Sequence, residues 1–124
     1  MRIDIRPAVP SDTEKIRIGD FSDVFVLLCD GEITAVCAAR NCEKPFEDYA
    51  EITLSVLPEW QRKGLGKKLL SHTLRKLRGN GYKGAMLEIA EDNVGARRFY
   101  EKFGFSERNF TKNRKPSVVY TIDF

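Results

Sequence analysis

A short glycine-containing segment flanked by basic residues could bind an anion. Residues 61–66 (QRKGLG) stand directly before a predicted helix. The two glycines let the backbone approach a ligand closely, and the N–H groups of a first helical turn lack intrahelical partners. The helix dipole and the side chains of Arg62, Lys63 and Lys67 add positive charge there. The segment predicts a pyrophosphate site, with a glycine turn at a basic helix start as the structural alternative.

Two other phosphate-binding motifs do not fit this segment. A P-loop is excluded because Gln61 occupies the position of its first glycine and Lys67 is followed by Lys68 rather than Ser or Thr. The dinucleotide-binding fingerprint fails because Leu69 stands where its third glycine belongs.

The net charge of +3 conceals an asymmetry along the 124 residues. Residues 1–60 carry 6 Lys+Arg and 12 Asp+Glu, whereas residues 61–124 carry 15 and 6. Eight basic residues and no acid lie between positions 61 and 84. This block indicates an anionic partner, which could be nucleic acid, an anionic membrane or a phosphorylated small molecule, or else a solvated helix face.

Length and composition exclude several classes of protein. The chain fits one domain over residues 1–124, and no apolar run approaches the ~20 residues of a membrane span. No N-terminal stretch resembles a signal peptide, so a cytoplasmic protein is predicted, with no membrane partner. One histidine and three cysteines without C-x-x-C spacing predict no metal site and reduced thiols. A two-residue Asp30-Gly31 turn would pair Cys29 with Glu32 and Cys37 with Val24.

Hydrophobic periodicity predicts seven strands and three helices around one sheet. The strands are predicted at 2–6, 23–29, 32–40, 49–57, 83–90, 105–110 and 117–124, and the helices at 11–18, 64–78 and 93–102. The short first helix is predicted from a capping box formed by Ser11 and Glu14. The fourth strand, second helix and fifth strand have the length of a parallel crossover, which would place a ligand near residues 56–66.

Two segments together resemble the GNAT N-acetyltransferase family. Residues 52–66 (ITLSVLPEWQRKGLG) are similar to its motif A, V-x-P-x-x-Q/R-x-x-G-x-G/A. Residues 87–89 (LEI), Asn93 and residues 99–105 (FYEKFGF) are similar to its second signature. The resemblance covers about residues 23–110 and is nearest to the branch that acetylates a ribosomal-protein alanine. It implies an α/β (α+β) domain with a mixed, mostly antiparallel sheet of six to seven strands, flanking helices and splayed fourth and fifth strands.

The resemblance implies acetyl-CoA as the acetyl donor and a set of residues that bind it. The backbone amides of residues 62–67 would bind the pyrophosphate, the end of the fourth strand would line the pantetheine arm, and the Val56 N–H would polarise the thioester carbonyl. Asn93 would contact the pantetheine or cap the following helix. The implied binding residues are Leu54, Ser55, Val56, Arg62, Lys63, Gly64, Leu65, Gly66, Lys67 and Asn93.

The resemblance also implies direct attack of a primary amine on the thioester, with two proton transfers. Tyr100 would protonate the departing sulfur, and Glu88 would take the amine proton, with Glu51 as a reserve base. Tyr100 could instead be an aromatic packing residue, and Glu88 a polar edge residue. His72 is expected on a helix flank, and the cysteines have no neighbouring base in the sequence that would make a nucleophile.

The sequence leaves the amine acceptor open among a peptide N-terminus, a lysine, a polyamine and another small amine. Deprotonation at pH 7 costs about 1 kcal/mol for an α-amine and about 4.6 kcal/mol for a lysine, which favours the N-terminus. Acidic residues before the fourth strand would favour a cationic acceptor if they border the cleft. These residues are Glu43, Glu47, Asp48 and Glu51.

Two departures from the family pattern concern partners. The segment between the first two strands holds only one short helix, so the acceptor wall would be open or completed by a partner chain, for example in a homodimer. Arg97 and Arg98 stand where aliphatic residues are common, and one of them is expected to reach the coenzyme A phosphates.

The sequence leaves two alternative functions. One is a basic nucleic-acid-binding module, which is disfavoured because aromatic residues do not interleave with the lysines. The other is an acyl-CoA-binding domain without turnover.

Overall fold

Seven strands and three α-helices form the described part of the chain, in a computed structural model that describes residues 1–13, 21–108 and 116–124. The strands are β1 Ile3–Pro7, β2 Asp23–Cys29, β3 Glu32–Asn41, β4 Tyr49–Val56, β5 Gly84–Ala90, β6 Ser106–Arg108 and β7 Ser117–Asp123. The helices are α1 Pro10–Thr13, α2 Leu65–Gly79 and α3 Val94–Phe103, with a 3-10 turn at Pro58–Trp60.

The strands form one mixed sheet in the order β1-β2-β3-β4-β5-β7-β6. Among the described strands only the β4–β5 pair is parallel; the other pairs are antiparallel. This confirms the predicted mixed, mostly antiparallel sheet and the parallel pairing of the strands on either side of α2.

The parallel pair is short, and this opens the sheet. Its register runs from Tyr49 opposite Gly84 to Glu51 opposite Met86 and stops there. On its other side β4 stays paired with β3 as far as Val56 opposite Ala35. The carboxyl-terminal part of β4 therefore has a strand on one side only, which confirms the predicted splay.

Helix α2 covers one face of the sheet with its apolar stripe. The predicted leucines, Leu65, Leu69, Leu70, Leu74 and Leu77, are all buried in the core. They pack with Leu87 and Ile89 of β5 in one cluster, whereas Met86, which points to the opposite face, packs with Phe46 and Val119 in another.

The β2–β3 hairpin contains a bulge that the sequence did not predict. Asp30 and Gly31 form the turn with φ of 50° and 84°, and Cys29 lies opposite Glu32 as expected. The register then shifts between Leu27 and Leu28, so Cys37 lies opposite Phe25 and the predicted Val24 partner is wrong. One extra residue in β3 moves every later pair by one position.

The first helix begins one residue earlier than predicted. The Asp12 carboxylate accepts the Val9 N–H at 2.8 Å and pairs with Arg6 at 2.7 Å. The predicted continuation of this helix through residue 18, with Glu14, lies outside the described residues, as does the end of the strand predicted at 105–110. No helix within the described ranges is long and apolar enough to cross a membrane.

Candidate active site

A groove of about 630 Å³ runs between the one-sided part of β4 and helix α3. The turn before α2 forms one end of it, and the Tyr100 side chain lies in its lining. Most of the predicted site residues meet here. Those that line the groove are Leu54, Val56, Arg62, Gly64, Leu65, Gly66, Lys67 and Tyr100.

The turn before α2 has the geometry of an anion site. Arg62 and Gly64 have left-handed backbones, with φ of 63° and 78°. Gly64 is the N-cap of α2 and supplies no side-chain cap, so the first-turn N–H groups keep their capacity for a ligand. A Cβ at Gly64 would meet no atom within 4 Å, so the space in front of the turn is open. These features, with the charges of Arg62 and Lys67, fit a pyrophosphate.

Gly66 brings α2 close to β4. A Cβ at this position would lie 3.4 Å from Cγ2 of Val56 and 3.5 Å from Cδ2 of Leu54. The same two side chains line the groove, so the missing side chain of Gly66 widens the groove where it passes along β4.

The backbone of Val56 faces the gap between β4 and β5. Leu57 N–H donates to the Thr34 carbonyl on the β3 side, and successive residues of a strand point their backbone groups in opposite directions. The Val56 carbonyl accepts the Gln61 side-chain amide at 3.0 Å. Gln61 therefore fixes the end of β4 to the anion turn, a role that its place in the motif did not predict.

Three predicted binding residues are not among those that line the groove. The Ser55 side chain lines a cavity on the opposite face of the sheet, with Thr53 and Val36, and not the groove. Asn93 caps α3, since its side-chain oxygen accepts the Ala96 N–H at 3.2 Å. Lys63 is exposed and its Nζ lies 5.8 Å from the centre of the Trp60 ring.

Tyr100 lies in an apolar part of the groove. Its ring makes edge-on contacts with Phe99 and Phe105, at 5.0 and 5.4 Å between centroids, and only 9% of the residue is exposed. Burial, with a smaller contribution from Cys37, raises the pKa of Tyr100 to about 12. The phenol therefore holds its proton at neutral pH and can donate it.

Glu88 lies on the other face of β5 from Tyr100. Its neighbours Leu87 and Ile89 share the core cluster with Tyr100, so the alternation of the strand directs Glu88 away from them. The side chain is exposed and accepts the Ser117 hydroxyl at 3.4 Å. The two predicted proton-transfer residues thus flank the carboxyl end of β5 from opposite sides.

The reserve base and the acidic cluster are placed away from the groove. Both carboxylate oxygens of Glu51 bind Arg40 on β3, at 2.8 and 3.3 Å. Glu43, Glu47 and Asp48 precede the amino end of β4, about 23 Å from Val56 at the strand's rise per residue. The condition under which this cluster would favour a cationic acceptor is therefore not met at the carboxyl end of β4, and Glu51 is an ion-pair partner of Arg40.

The remaining candidate groups have structural surroundings. Burial raises the pKa of the Cys37 thiol to about 11, which disfavours a thiolate nucleophile. His72 packs edge-on against Phe25, and burial, then Lys76 and Arg75, lower its pKa. Arg97 binds Tyr120 and Glu91 rather than extending toward the anion turn. Among the described residues no group of three or more His, Cys, Asp or Glu could hold a metal ion.

The fold is an α/β domain whose sheet opens between β4 and β5, with a groove along the free edge of β4. Residues 4–105 match the sequence model of the acetyltransferase (GNAT) family. The chain belongs to this family, as the sequence motifs predicted.

Similar proteins include several N-acetyltransferases. The chain is 36% identical over 94 residues to the [ribosomal protein bS18]-alanine N-acetyltransferase of Escherichia coli (strain K12), covering 76% of this chain and 62% of that protein. It is 28% identical to N-alpha-acetyltransferase 50 of Danio rerio over 114 residues, 88% of this chain and 64% of that protein. The chain thus spans less than two thirds of the length of these relatives.

The fold is also that of solved acetyltransferases. The structure of YncA from Salmonella typhimurium, solved with its cofactor acetyl-CoA, aligns with a TM-score of 0.82 at 18% identity, covering 99% of this chain and 94% of that one. This likeness confirms the GNAT fold predicted from the sequence.

Proposed function

We propose that the chain is one acetyltransferase domain, residues 1–124, that transfers the acetyl group of acetyl-CoA to a primary amine. The observation that carries this proposal is the continuous groove from the anion turn, along the free edge of β4, to the buried Tyr100 phenol. Acetyl-CoA supplies an activated acetyl group, and its pyrophosphate, arm and thioester match the three parts of this groove in order.

The residues of the groove divide the binding task. The first-turn amides of α2, with Arg62 and Lys67, bind the pyrophosphate. Leu54 and Val56 provide apolar contact for the arm, and the Val56 N–H points into the gap, where it can stabilise negative charge on the carbonyl oxygen. The Ser55 side chain lines the cavity on the opposite face of the sheet, so we assign it to the amine acceptor and not to the pantetheine arm.

Two proton transfers accompany the formation of the N–C bond and the cleavage of the C–S bond. Glu88 accepts a proton from the amine on the outer face of β5, directly or through a water. Tyr100 donates its proton to the departing sulfur from the face covered by α3. Their placement on opposite faces fits an acceptor and a donor that approach the gap from opposite sides.

A peptide α-amine is the acceptor that the site supports best. A site with Glu88 as its one base favours the amine that is easier to deprotonate, and the bS18-alanine N-acetyltransferase acts on a protein alanine. The acidic cluster before β4, which would favour a polyamine, lies at the wrong end of the strand.

We further propose that a second copy of the chain completes the acceptor wall, as a homodimer. The molar mass in solution distinguishes a dimer from a monomer. Cytoplasmic location stays a prediction.

The test combines binding and turnover. Coenzyme A should raise the melting temperature by several degrees while a DNA duplex should not, and a thiol-release assay should detect transfer to peptides with a free N-terminus. Glu88→Gln and Tyr100→Phe should each lower the rate while coenzyme A still binds. Binding without release over N-terminal peptides, lysyl peptides, polyamines and aminoglycosides would indicate an acyl-CoA-binding domain, and protection by DNA alone would contradict the proposal.

A further inference from the structure

One side chain of α3 makes polar contacts with three other parts of the fold. Arg97 donates from Nε to the Tyr120 hydroxyl on β7 at 3.0 Å and from Nη1 to the Glu91 carbonyl after β5 at 3.0 Å. Its Nη2 lies 3.5 Å from Oε2 of Glu107 on β6. The planar guanidinium serves all three directions at once, which a lysine cannot do.

The Tyr120 hydroxyl is held from both sides by α3. It accepts from Arg97 and donates to Oε2 of Glu101, one helical turn later, at 3.0 Å. The Tyr120 residue is fully buried in the core, so its hydroxyl is a fixed point on the sheet. Two contacts one turn apart on this fixed point resist both sliding and rotation of the helix.

Along the chain, Glu91 and Arg97 stand between the two predicted proton-transfer residues, Glu88 and Tyr100. Tyr100 follows Arg97 by three residues on the same helix, and Glu91 follows Glu88 by three residues after β5. We propose that Arg97 is a positioning residue, which sets the distance of the Tyr100 phenol from the carboxyl end of β5. This inference rests on the proposed function, since it assigns Arg97 an effect through Tyr100.

The test is a double-mutant cycle between Arg97 and Tyr100. Arg97→Met, which keeps most of the side-chain length, should lower kcat roughly 10- to 100-fold, because a misplacement of about 1 Å has effects of this size. The KM for acetyl-CoA should change less than about fivefold, because the anion turn and β4 do not contact Arg97. In a Tyr100→Phe background the same substitution should lower kcat less than about threefold.

Three further variants complete the design. Arg97→Lys keeps the charge and should recover only part of the rate. Tyr120→Phe removes the hydroxyl but keeps the ring in the core, so it reproduces the effect even if Arg97→Met folds poorly. Arg2→Met removes an arginine whose side chain is 80% exposed, at the opposite edge of the sheet, and should leave kcat unchanged.

Hydrogen exchange provides a readout that does not need turnover. Arg97→Met should raise amide exchange in α3, residues 94–103, and leave α2 as protected as in the wild type. An unchanged kcat, an equal loss in the Tyr100→Phe background, or unchanged exchange in α3 would overturn the inference. Absence of turnover in the wild type would instead contradict the proposed function, and the inferred effect of Arg97 on the reaction would be overturned with it, whatever the exchange in α3.

Discussion

The Tyr100 phenol combines two properties that a proton donor to a thiolate needs. The residue belongs to the lining of the groove, while its ring packs against Phe99 and Phe105. Burial holds the phenol neutral well above physiological pH. The packing that the sequence suggested as an alternative to catalysis is therefore part of what makes the residue suitable as an acid.

Tyr100→Phe should lower kcat roughly 100-fold, because general acid catalysis typically contributes this much or more. Coenzyme A affinity should change less than about threefold, since the ring contacts with the groove remain. Steady-state kinetics with isothermal titration of coenzyme A separate the two. An unchanged kcat would assign Tyr100 to packing alone.

Gly64→Val should abolish coenzyme A binding. Its Cβ would project into the open space before α2, and a β-branched residue is strained at φ 78°. Thermal shift with coenzyme A measures the loss. Gly95→Ala, where a Cβ also meets nothing within 4 Å, gives a comparison within the groove lining, and retained affinity in Gly64→Val would mean that the phosphate lies elsewhere.

At the scale of elements, the site depends on β4 and β5 being joined at one end and separate at the other. Their joined end is packed without spare room: a Cβ on Gly84 would lie 2.3 Å from the Ile122 carbonyl oxygen and 2.4 Å from Cε2 of Tyr49. Tyr49 is itself opposite Gly84 in the register and its hydroxyl binds Asp123. This tight end fixes the angle at which the two strands diverge.

Gly84→Ala should lower the free energy of unfolding by about 1–3 kcal/mol, because backbone and a hydrogen-bonded ring must move. Urea denaturation followed by circular dichroism measures it. Gly79→Ala at the end of α2, where a Cβ meets nothing within 4 Å, should be neutral or slightly stabilising. Equal stability of Gly84→Ala and the wild type would show that the strands can separate further without cost.

Periodicity predicted most elements to within one or two residues because their buried faces are strongly apolar. It could not predict the bulge at Leu27 and Leu28, since an apolar strand reads the same after a one-residue shift. The groove residues were recoverable from the two motifs, but Ser55 was grouped with Leu54 and Val56 although strand alternation places it on the other face. The contact of Arg97 with Tyr120 joins residues 23 positions apart, for which a single sequence gives no signal, and the contact of Gln61 with the Val56 carbonyl depends on the path of the turn between them.

At the scale of the whole molecule, the basic and acidic residues lie at different distances from the groove. Arg62 and Lys67 line the end of the groove that would hold phosphates, whereas Lys76 and Arg78 lie in the last turn of α2, away from it. The acidic residues before β4 lie at the far end of that strand, whereas Glu88, Glu91 and Asp92, at the carboxyl end of β5 and just after it, line a cavity together. An incoming ammonium would therefore meet negative charge from β5 rather than from the loop before β4.

The molecule should lose stability at alkaline pH through two buried groups. The pKa of Tyr100 rises from 10.0 to about 12 on folding, and that of Cys37 from 9.0 to about 11. Well below pH 9 the two side chains are protonated in the folded and in the unfolded protein. Above pH 9 they lose their protons more readily in the unfolded protein, so the free energy of unfolding falls between about pH 9 and 12. Each group contributes a loss of about 3 kcal/mol at the end of this range.

Urea midpoints measured from pH 8 to pH 11.5 test this expectation. Tyr100→Phe should flatten the decline above pH 10, and Cys37→Ala, after allowance for its lost volume, should flatten it from pH 9. The Cys42→Ser change, at a cysteine that is only half-buried, should leave the slope unchanged. A decline that is the same in all variants would place the titrating groups elsewhere.

The open edge of β4 also affects the tendency of the protein to aggregate by edge-to-edge strand pairing. An unpaired strand edge is a template for another chain, and most sheets protect their outer edges with charge or irregularity. Here the unpaired edge lies inside the sheet, between β5 and a helix, where only a narrow extended molecule can reach it. The free edge of β4 can therefore form backbone hydrogen bonds with a ligand, while its position inside the sheet prevents it from pairing with a strand of another molecule.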